Sequence, residues 1–210
     1  MAQKLKQNWF ALLSRFTDNT GLLMSSWEQI KRHYTHKSRA YHNLTHLHNM
    51  FAEVKKWEGH IEDREVLHFT IWFHDIIYNA LKKDNELRSA EVAKGILEQT
   101  SLDKGRIEHC YQQILLTINH QPSVSANLDD RFLIDFDLEI LSRDWASYKN
   151  YSQQIRKEYW MYPFVLYKKG RKKAMRHFLE RDSIYQTPFY QKEKEAQARQ
   201  NIEREIKELL

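Results

Sequence analysis

Apolar residues recur every three or four positions along most of the chain, which is the spacing of amphipathic helices. The clearest case is residues 43–57, where Leu44, Leu47 and Val54 share an apolar face and His46 lies on the adjacent polar face. The same spacing predicts further helices over 4–17, 24–35, 62–78, 104–118, 129–141, 144–160, 164–181 and 190–209. Between 62–78 and 104–118 it predicts one more helix, which Asp84 or Asn85 could cap and which carries Ala90, Ala93, Ile96 and Leu97. The pattern therefore predicts an all-α protein.

Composition supports this fold class. The chain has 210 residues but only 5 Gly and 3 Pro, fewer turn residues than a β-sandwich or barrel needs. No shift in composition divides it. We expect one domain over 1–210, with a helical core over about 20–160 and C-terminal helices over about 161–210.

Several classes of protein are not expected. No run of 18 apolar residues is present, and the start of the chain lacks the apolar core of a signal peptide. Cys110 is the only cysteine, so no internal disulfide can form. These features favour a cytoplasmic protein with no membrane partner.

The net charge is +5, and basic and acidic residues are interspersed along the chain. One basic cluster stands out, Lys168–Lys173, which Arg176 follows. This cluster is either a solvated helix start or loop, or a surface that attracts an anionic substrate or nucleic acid. Glycine-rich phosphate loops and zinc-finger spacings are absent from the sequence, so nucleic acid is not the expected partner.

A His-Asp pair, His74-Asp75, interrupts the apolar run Ile71–Tyr78. Two metal-binding side chains are costly to bury unless something holds both, and a cation is the simplest candidate. His46 offers a further imidazole upstream, and Asp135 and Asp137 offer distant carboxylates. Mixed imidazole and carboxylate ligands suit Mn, Mg, Ni, Fe, Co or Zn.

The order of these residues resembles the HD superfamily of metal-dependent phosphohydrolases, in which a single His, a His-Asp doublet and a distant Asp surround one metal. The resemblance is closer to an uncharacterised bacterial subgroup of predicted phosphohydrolases. The segments that carry it are Arg39–His46, Trp72–Tyr78, Asn85–Ala90, Asp135–Leu141 and Ile155–Tyr159.

The resemblance implies a helical bundle with one divalent metal between its central helices, held by His46, His74, Asp75 and Asp137. It also implies a hydrolase that attacks a small phosphate ester, with a nucleotide as the expected class, through a metal-activated water. Asp75 would take a catalytic role as the acceptor of the water's proton. Of the two distal aspartates, the family pattern favours Asp137 over Asp135.

Other residues near these motifs have alternative roles. His42 is a metal ligand, a hydrogen-bond donor to a ligand, or a phosphate contact. Glu86 either orients the attacking water, a catalytic role, or is a first-turn charge favoured by the helix dipole. His120 is an extra ligand for a second metal, a phosphate-binding acid, or a C-terminal helix cap.

Arg39 and Arg156 are candidate phosphate-binding residues, because guanidinium groups match phosphate geometry. Arg156 can instead form a structural ion pair with Glu158. Substrate identity, the choice of metal and the oligomeric state stay open, including a homodimer formed through the amphipathic termini.

Three rival functions stay open on this evidence. A metal-bound sensor would bind a nucleotide without turnover. A di-iron oxygenase would need additional histidine ligands, for which His42 and His120 are the obvious suppliers. A nucleic-acid binder would use the residues from Lys168 to Arg176.

Overall fold

The structure is a computed structural model that describes residues 1–209. Those residues form ten α-helices and contain no β-strand, which confirms the predicted all-α class. The helices are α1 (Ala2–Leu13), α2 (Thr20–Tyr34), α3 (Leu44–Lys56), α4 (Arg64–Phe73), α5 (Asn85–Leu97), α6 (Lys104–Leu116), α7 (Leu128–Asp137), α8 (Trp145–Glu158), α9 (Phe164–Leu179) and α10 (Pro188–Glu208).

The chain divides into two compact units, residues 1–123 and 124–210. The first contains α1–α6 and the second contains α7–α10. The boundary falls in the loop after α6, so the expectation of one domain over the whole chain stays a prediction. None of the helices within residues 1–209 is long and apolar enough to cross a bilayer.

Helix α4 is the buried centre of the first unit. Seven of its ten residues are buried, and α3, α5 and α6 all pack against it. Aromatic rings from α1 and α4 interlock beside it, with Trp9 edge-on to Phe69, Trp72 and Phe73 at centroid distances of 5.5 to 6.0 Å. The Trp9 indole donates to Ser26 Oγ at 3.0 Å, so its polar atom is satisfied inside the core. This packing holds the C-terminal end of α4 in place.

The prediction of a helix over 62–78 is wrong at its C-terminal end, because α4 ends at Phe73. His74 keeps helical backbone angles, but the chain then turns, and Ile76 N–H donates to the Phe73 carbonyl at 3.0 Å. The next donor, Ile77 N–H, bonds to Ser89 Oγ at 3.0 Å instead of continuing the helix. The doublet therefore lies in a turn at the end of α4.

Two polar features organise the second unit. Asp135 on α7 accepts hydrogen bonds from the backbone N–H groups of Gln186 and Thr187 and from the Thr187 hydroxyl, at 2.6 to 2.8 Å. These contacts join α7 to the start of α10. Farther along α10, Arg171 and Glu205 form a buried bidentate ion pair between α9 and α10.

Helix α7 also ends earlier than predicted, at Asp137, and continues as a 3₁₀ turn over Leu138–Ser142. Its start is more regular, since Asn127 and Asp130 form a reciprocal capping box.

Candidate metal centre

His46 reaches the interior from the first turn of α3. Asn43 caps this helix by accepting a hydrogen bond from Thr45 N–H at 2.8 Å, which sets where the helix begins. The His46 side chain is only 2% exposed, and the Tyr41 ring lies 5.0 Å from it. A polar ring buried this deeply needs a partner for its nitrogen atoms.

His74 has one ring nitrogen fixed by the backbone. Its Nδ1 lies 2.9 Å from the Ile71 carbonyl, a contact in which Nδ1–H donates. The proton is therefore on Nδ1, and the lone pair of Nε2 points away from the helix. Histidines that ligate metals commonly have this arrangement, with a backbone carbonyl orienting the ring.

Three ligand atoms meet at this point. His46 Nε2 lies 3.1 Å from His74 Nε2, and Asp75 Oδ2 lies 3.2 Å from His74 Nε2 and 3.9 Å from His46 Nε2. A circle through three atoms with these separations has a radius of about 2.0 Å, close to the length of a bond from zinc to nitrogen or oxygen. His46, His74 and Asp75 thus form a buried group that could hold a metal ion.

The group is closed on its imidazole side. The two histidine side chains are 1 to 2% exposed, whereas the Asp75 side chain is 14% exposed. Solvent or a small molecule can therefore approach the group along Asp75.

Arg39 supports the turn that carries the doublet. Its guanidinium donates to the carbonyls of Asp75 at 2.6 Å, Ile76 at 2.8 Å and His42 at 3.2 Å. The side chain is buried, and its charge lies over the ring of Tyr78 at 5.6 Å. Arg39 accordingly ties the chain before α3 to the turn after α4, a role that its sequence pattern does not predict. Its expected role as a phosphate contact stays a prediction.

His42 lies at the edge of the group. Its Nε2 is 4.0 Å from Asp75 Oδ2, too far for a hydrogen bond, and its ring stacks on Tyr78 at 4.2 Å. His42 lies two positions before Leu44, the first residue of α3, so it does not share a face of that helix with His46. None of its three proposed roles is excluded by this position.

The loop after the doublet is tied to α5. Asn85 Oδ1 accepts from Asn79 N–H at 3.0 Å, and the Asn85 amide donates to the Asn79 carbonyl at 3.0 Å. Glu86 follows in the first turn of α5, where its partly buried carboxylate faces a favourable helix dipole. Its catalytic role stays a prediction.

His120 follows α6 with a left-handed backbone, φ 49°. Its N–H donates to the Leu116 carbonyl at 3.0 Å, which is the contact of an αL helix cap. This geometry supports the helix-cap alternative for the His120 backbone. The proposed roles of its imidazole stay predictions.

The distal aspartates lie in the second unit. Burial raises the pKa of Asp135 to about 7, although its three donors oppose that shift. Both Asp135 oxygens are engaged at the start of α10, whereas Asp137 is the last residue of α7 and is partly exposed. Asp137 as the fourth ligand stays a prediction.

Arg156 also belongs to the second unit, near the end of α8. Its guanidinium donates to the carbonyls of Tyr159 at 2.7 Å and Tyr162 at 3.1 Å and stacks over Tyr167. These bonds satisfy carbonyls beyond the helix end. Phosphate binding by Arg156 stays a prediction.

Comparison of the chain with protein-family models, with curated proteins and with solved structures found no match. The resemblance to HD phosphohydrolases therefore depends on the order of motifs in this chain.

Proposed function

We propose that this protein is a metal-dependent phosphohydrolase that acts on a small phosphate ester, with nucleotides as the expected class. One observation supports the proposal most strongly. His46, His74 and Asp75 bring three ligand atoms to within bonding distance of a common point in a buried site. Three or four protein ligands would leave coordination positions for water or for a phosphoryl oxygen, as a catalytic site requires.

A divalent cation bound there would lower the pKa of a coordinated water and polarise a phosphoryl oxygen. The chain supplies the rest of the chemistry. The buried imidazoles exclude bulk water from one side of the site, while the more exposed Asp75 faces the approach route. The Asp75 oxygen that is not used as a ligand is the base we propose for the attacking water.

Arg39 contributes to this function through position. Its bonds to the carbonyls of Asp75 and Ile76 hold the doublet's turn against the chain that leads to His46. We propose Asp137 as the fourth ligand, and Glu86, His42, His120 and Arg156 as the surrounding groups that contact water or phosphate.

The test is a phosphate-release screen on metal-stripped protein reloaded with Mn, Mg, Co, Ni, Fe or Zn. Nucleoside mono-, di- and triphosphates and sugar phosphates serve as substrates. We expect turnover that depends on the metal and that His74→Ala abolishes together with metal binding. His60→Ala, at an exposed histidine, should retain both.

Two results would contradict the proposal. Unchanged turnover in a His74→Ala protein that has lost its metal would mean that this site does not catalyse the reaction. Tight metal and nucleotide binding without phosphate release from any substrate would instead indicate a sensor.

A further inference from the structure

Large apolar side chains are exposed where α8 leads into α9. We call five of these residues the corner patch: Trp160, Met161, Phe164, Val165 and Leu166. Each of them is between 55% and 74% exposed. The patch combines an indole with aliphatic and phenyl groups within seven consecutive positions. Contiguous exposed apolar surface of this kind commonly marks a binding face.

Basic side chains follow the corner patch along α9. We call them the cationic stripe, and its members are Lys168, Lys169, Lys172, Lys173 and Arg176. At 100° per residue, Val165, Lys169 and Arg176 fall within about 40° of one another on the helix, and the buried side chains of Arg171 and Met175 lie about 80–160° away from them. No Asp or Glu occurs from Tyr159 to Leu179, so acidic neighbours in sequence do not neutralise the stripe.

A cavity of about 310 Å³ opens between α8 and α9 beside Leu166, which belongs to the corner patch. Tyr159, Tyr162 and Tyr167 line it together with the buried Arg171. The Tyr167 hydroxyl is buried and has no hydrogen-bond partner among residues 1–209. A buried hydroxyl without a partner is costly, so a ligand group that enters this cavity and bonds to it would be stabilised.

The charge of the cationic stripe and the apolar character of the corner patch distinguish three possible partners: a second copy of the chain, nucleic acid and an anionic lipid surface. A second copy bound through the corner patch about a two-fold axis would bring two cationic stripes together, and like charges would repel. Nucleic acid would neutralise the lysines, but Met161, Val165 and Leu166 would gain little from phosphates and sugars. An anionic lipid surface satisfies both features, because apolar side chains enter the acyl region while lysines contact the headgroups.

We propose that the corner patch and the cationic stripe form a docking surface for anionic lipid bilayers. The chain lies on the membrane surface through the start of α9. The lack of a long apolar run in the sequence predicts no membrane partner, but contact with the membrane surface requires no spanning segment.

The test uses the full-length protein and sedimentation with vesicles of phosphatidylcholine alone or mixed with phosphatidylserine. We expect binding to the mixed vesicles only, weakened by salt. Trp160→Gln with Val165→Gln should lower the partition coefficient at least tenfold, since apolar insertion is lost. Lys169→Gln, Lys173→Gln and Arg176→Gln combined should lower it about a hundredfold.

Matched controls remove the same kinds of side chain elsewhere. Lys55→Gln, Lys104→Gln and Lys192→Gln combined remove the same charge from exposed positions, and Val124→Gln removes an exposed apolar residue. These controls should bind mixed vesicles like the unsubstituted chain. All variants should keep the unsubstituted chain's circular dichroism and unfolding midpoint, because every substituted side chain is exposed.

Three outcomes would overturn the proposal. The proposal is wrong if the protein does not sediment with the mixed vesicles. If the Trp160/Val165 variant binds as strongly as the unsubstituted chain, the contact is charge attraction without insertion of apolar side chains. Binding to a single-stranded oligonucleotide, lost in the Lys169/Lys173/Arg176 variant, without any vesicle binding would reassign the surface to nucleic acid.

Discussion

Replacement of Arg39 by Met tests whether this residue holds the turn that carries His74 and Asp75. Met preserves much of the side-chain length but removes the charge and the donors to the carbonyls of His42, Asp75 and Ile76. Each carbonyl left buried without a donor costs about 1–3 kcal/mol. Water will reach part of this half-buried turn, so we expect the free energy of unfolding to fall by about 3 kcal/mol.

Urea unfolding of the metal-free protein measures this loss, and calorimetric titration with Mn²⁺ measures the second effect. Because the turn positions Asp75, we expect metal affinity to fall roughly 10- to 100-fold, as for other residues that orient metal ligands. Arg88→Met, at an exposed arginine on α5, is the matched control and should change stability by less than about 0.5 kcal/mol.

The stability of the metal-free protein distinguishes the two roles considered for Arg39, which are to position the turn and to contact phosphate. A residue that only contacts phosphate would raise KM and leave unfolding unchanged. If Arg39→Met unfolds within about 0.5 kcal/mol of the unsubstituted chain and binds Mn²⁺ equally well, the positional role is refuted.

Three further predictions concern buried titratable side chains. Glu205→Gln leaves the Arg171 guanidinium buried and unpaired, so urea unfolding should show a loss of about 3–5 kcal/mol; a loss as small as that of Glu208→Gln, whose ion pairs are exposed, would contradict it. Burial lowers the pKa of His68 to about 4, so protonation favours the unfolded chain and stability should fall as pH drops from 6.5 to 4. Because the ring is partly exposed, we expect this loss to be about 2 kcal/mol smaller in His68→Gln, and equal pH profiles would refute it. Asp135→Asn keeps one acceptor oxygen but loses the carboxylate that binds the start of α10, and should destabilise the chain by about 1–3 kcal/mol in thermal unfolding without changing Mn²⁺ affinity; a weaker Mn²⁺ site would make it a ligand.

Helix content could be predicted from the sequence because each helix buries one stripe. The stripe of 43–57 matches α3 to within a residue at each end. The end of α4 could not be predicted, because the apolar residues Ile76 and Ile77 continue the run past Phe73. The spacing of apolar residues indicates which side chains are buried in a helix, but it does not indicate which backbone carbonyls accept hydrogen bonds from Arg39.

A shared partner for His74 and Asp75 was predictable because polar residues in an apolar run need one, whereas the place of His46 beside them was expected from the resemblance to the HD superfamily. The roles of arginines were less predictable. Arg171 belongs to the basic cluster Lys168–Lys173, yet its side chain is buried against Glu205, 34 positions away. Its spacing of four positions from the buried Tyr167 and Met175 places it on the buried stripe of α9, whereas Lys172 is partly exposed, but that spacing does not identify Glu205 as its partner. Long-range partners of charged side chains are set by tertiary packing, which one sequence does not display.

Anomalous diffraction from crystals soaked in Mn²⁺ tests the central claim most directly. We expect one strong peak about 2.0–2.3 Å from His46 Nε2, His74 Nε2 and Asp75 Oδ2, and no peak in crystals of His74→Ala soaked alongside. A well-ordered trio with the side-chain separations described here but no anomalous peak between the three atoms would contradict the account.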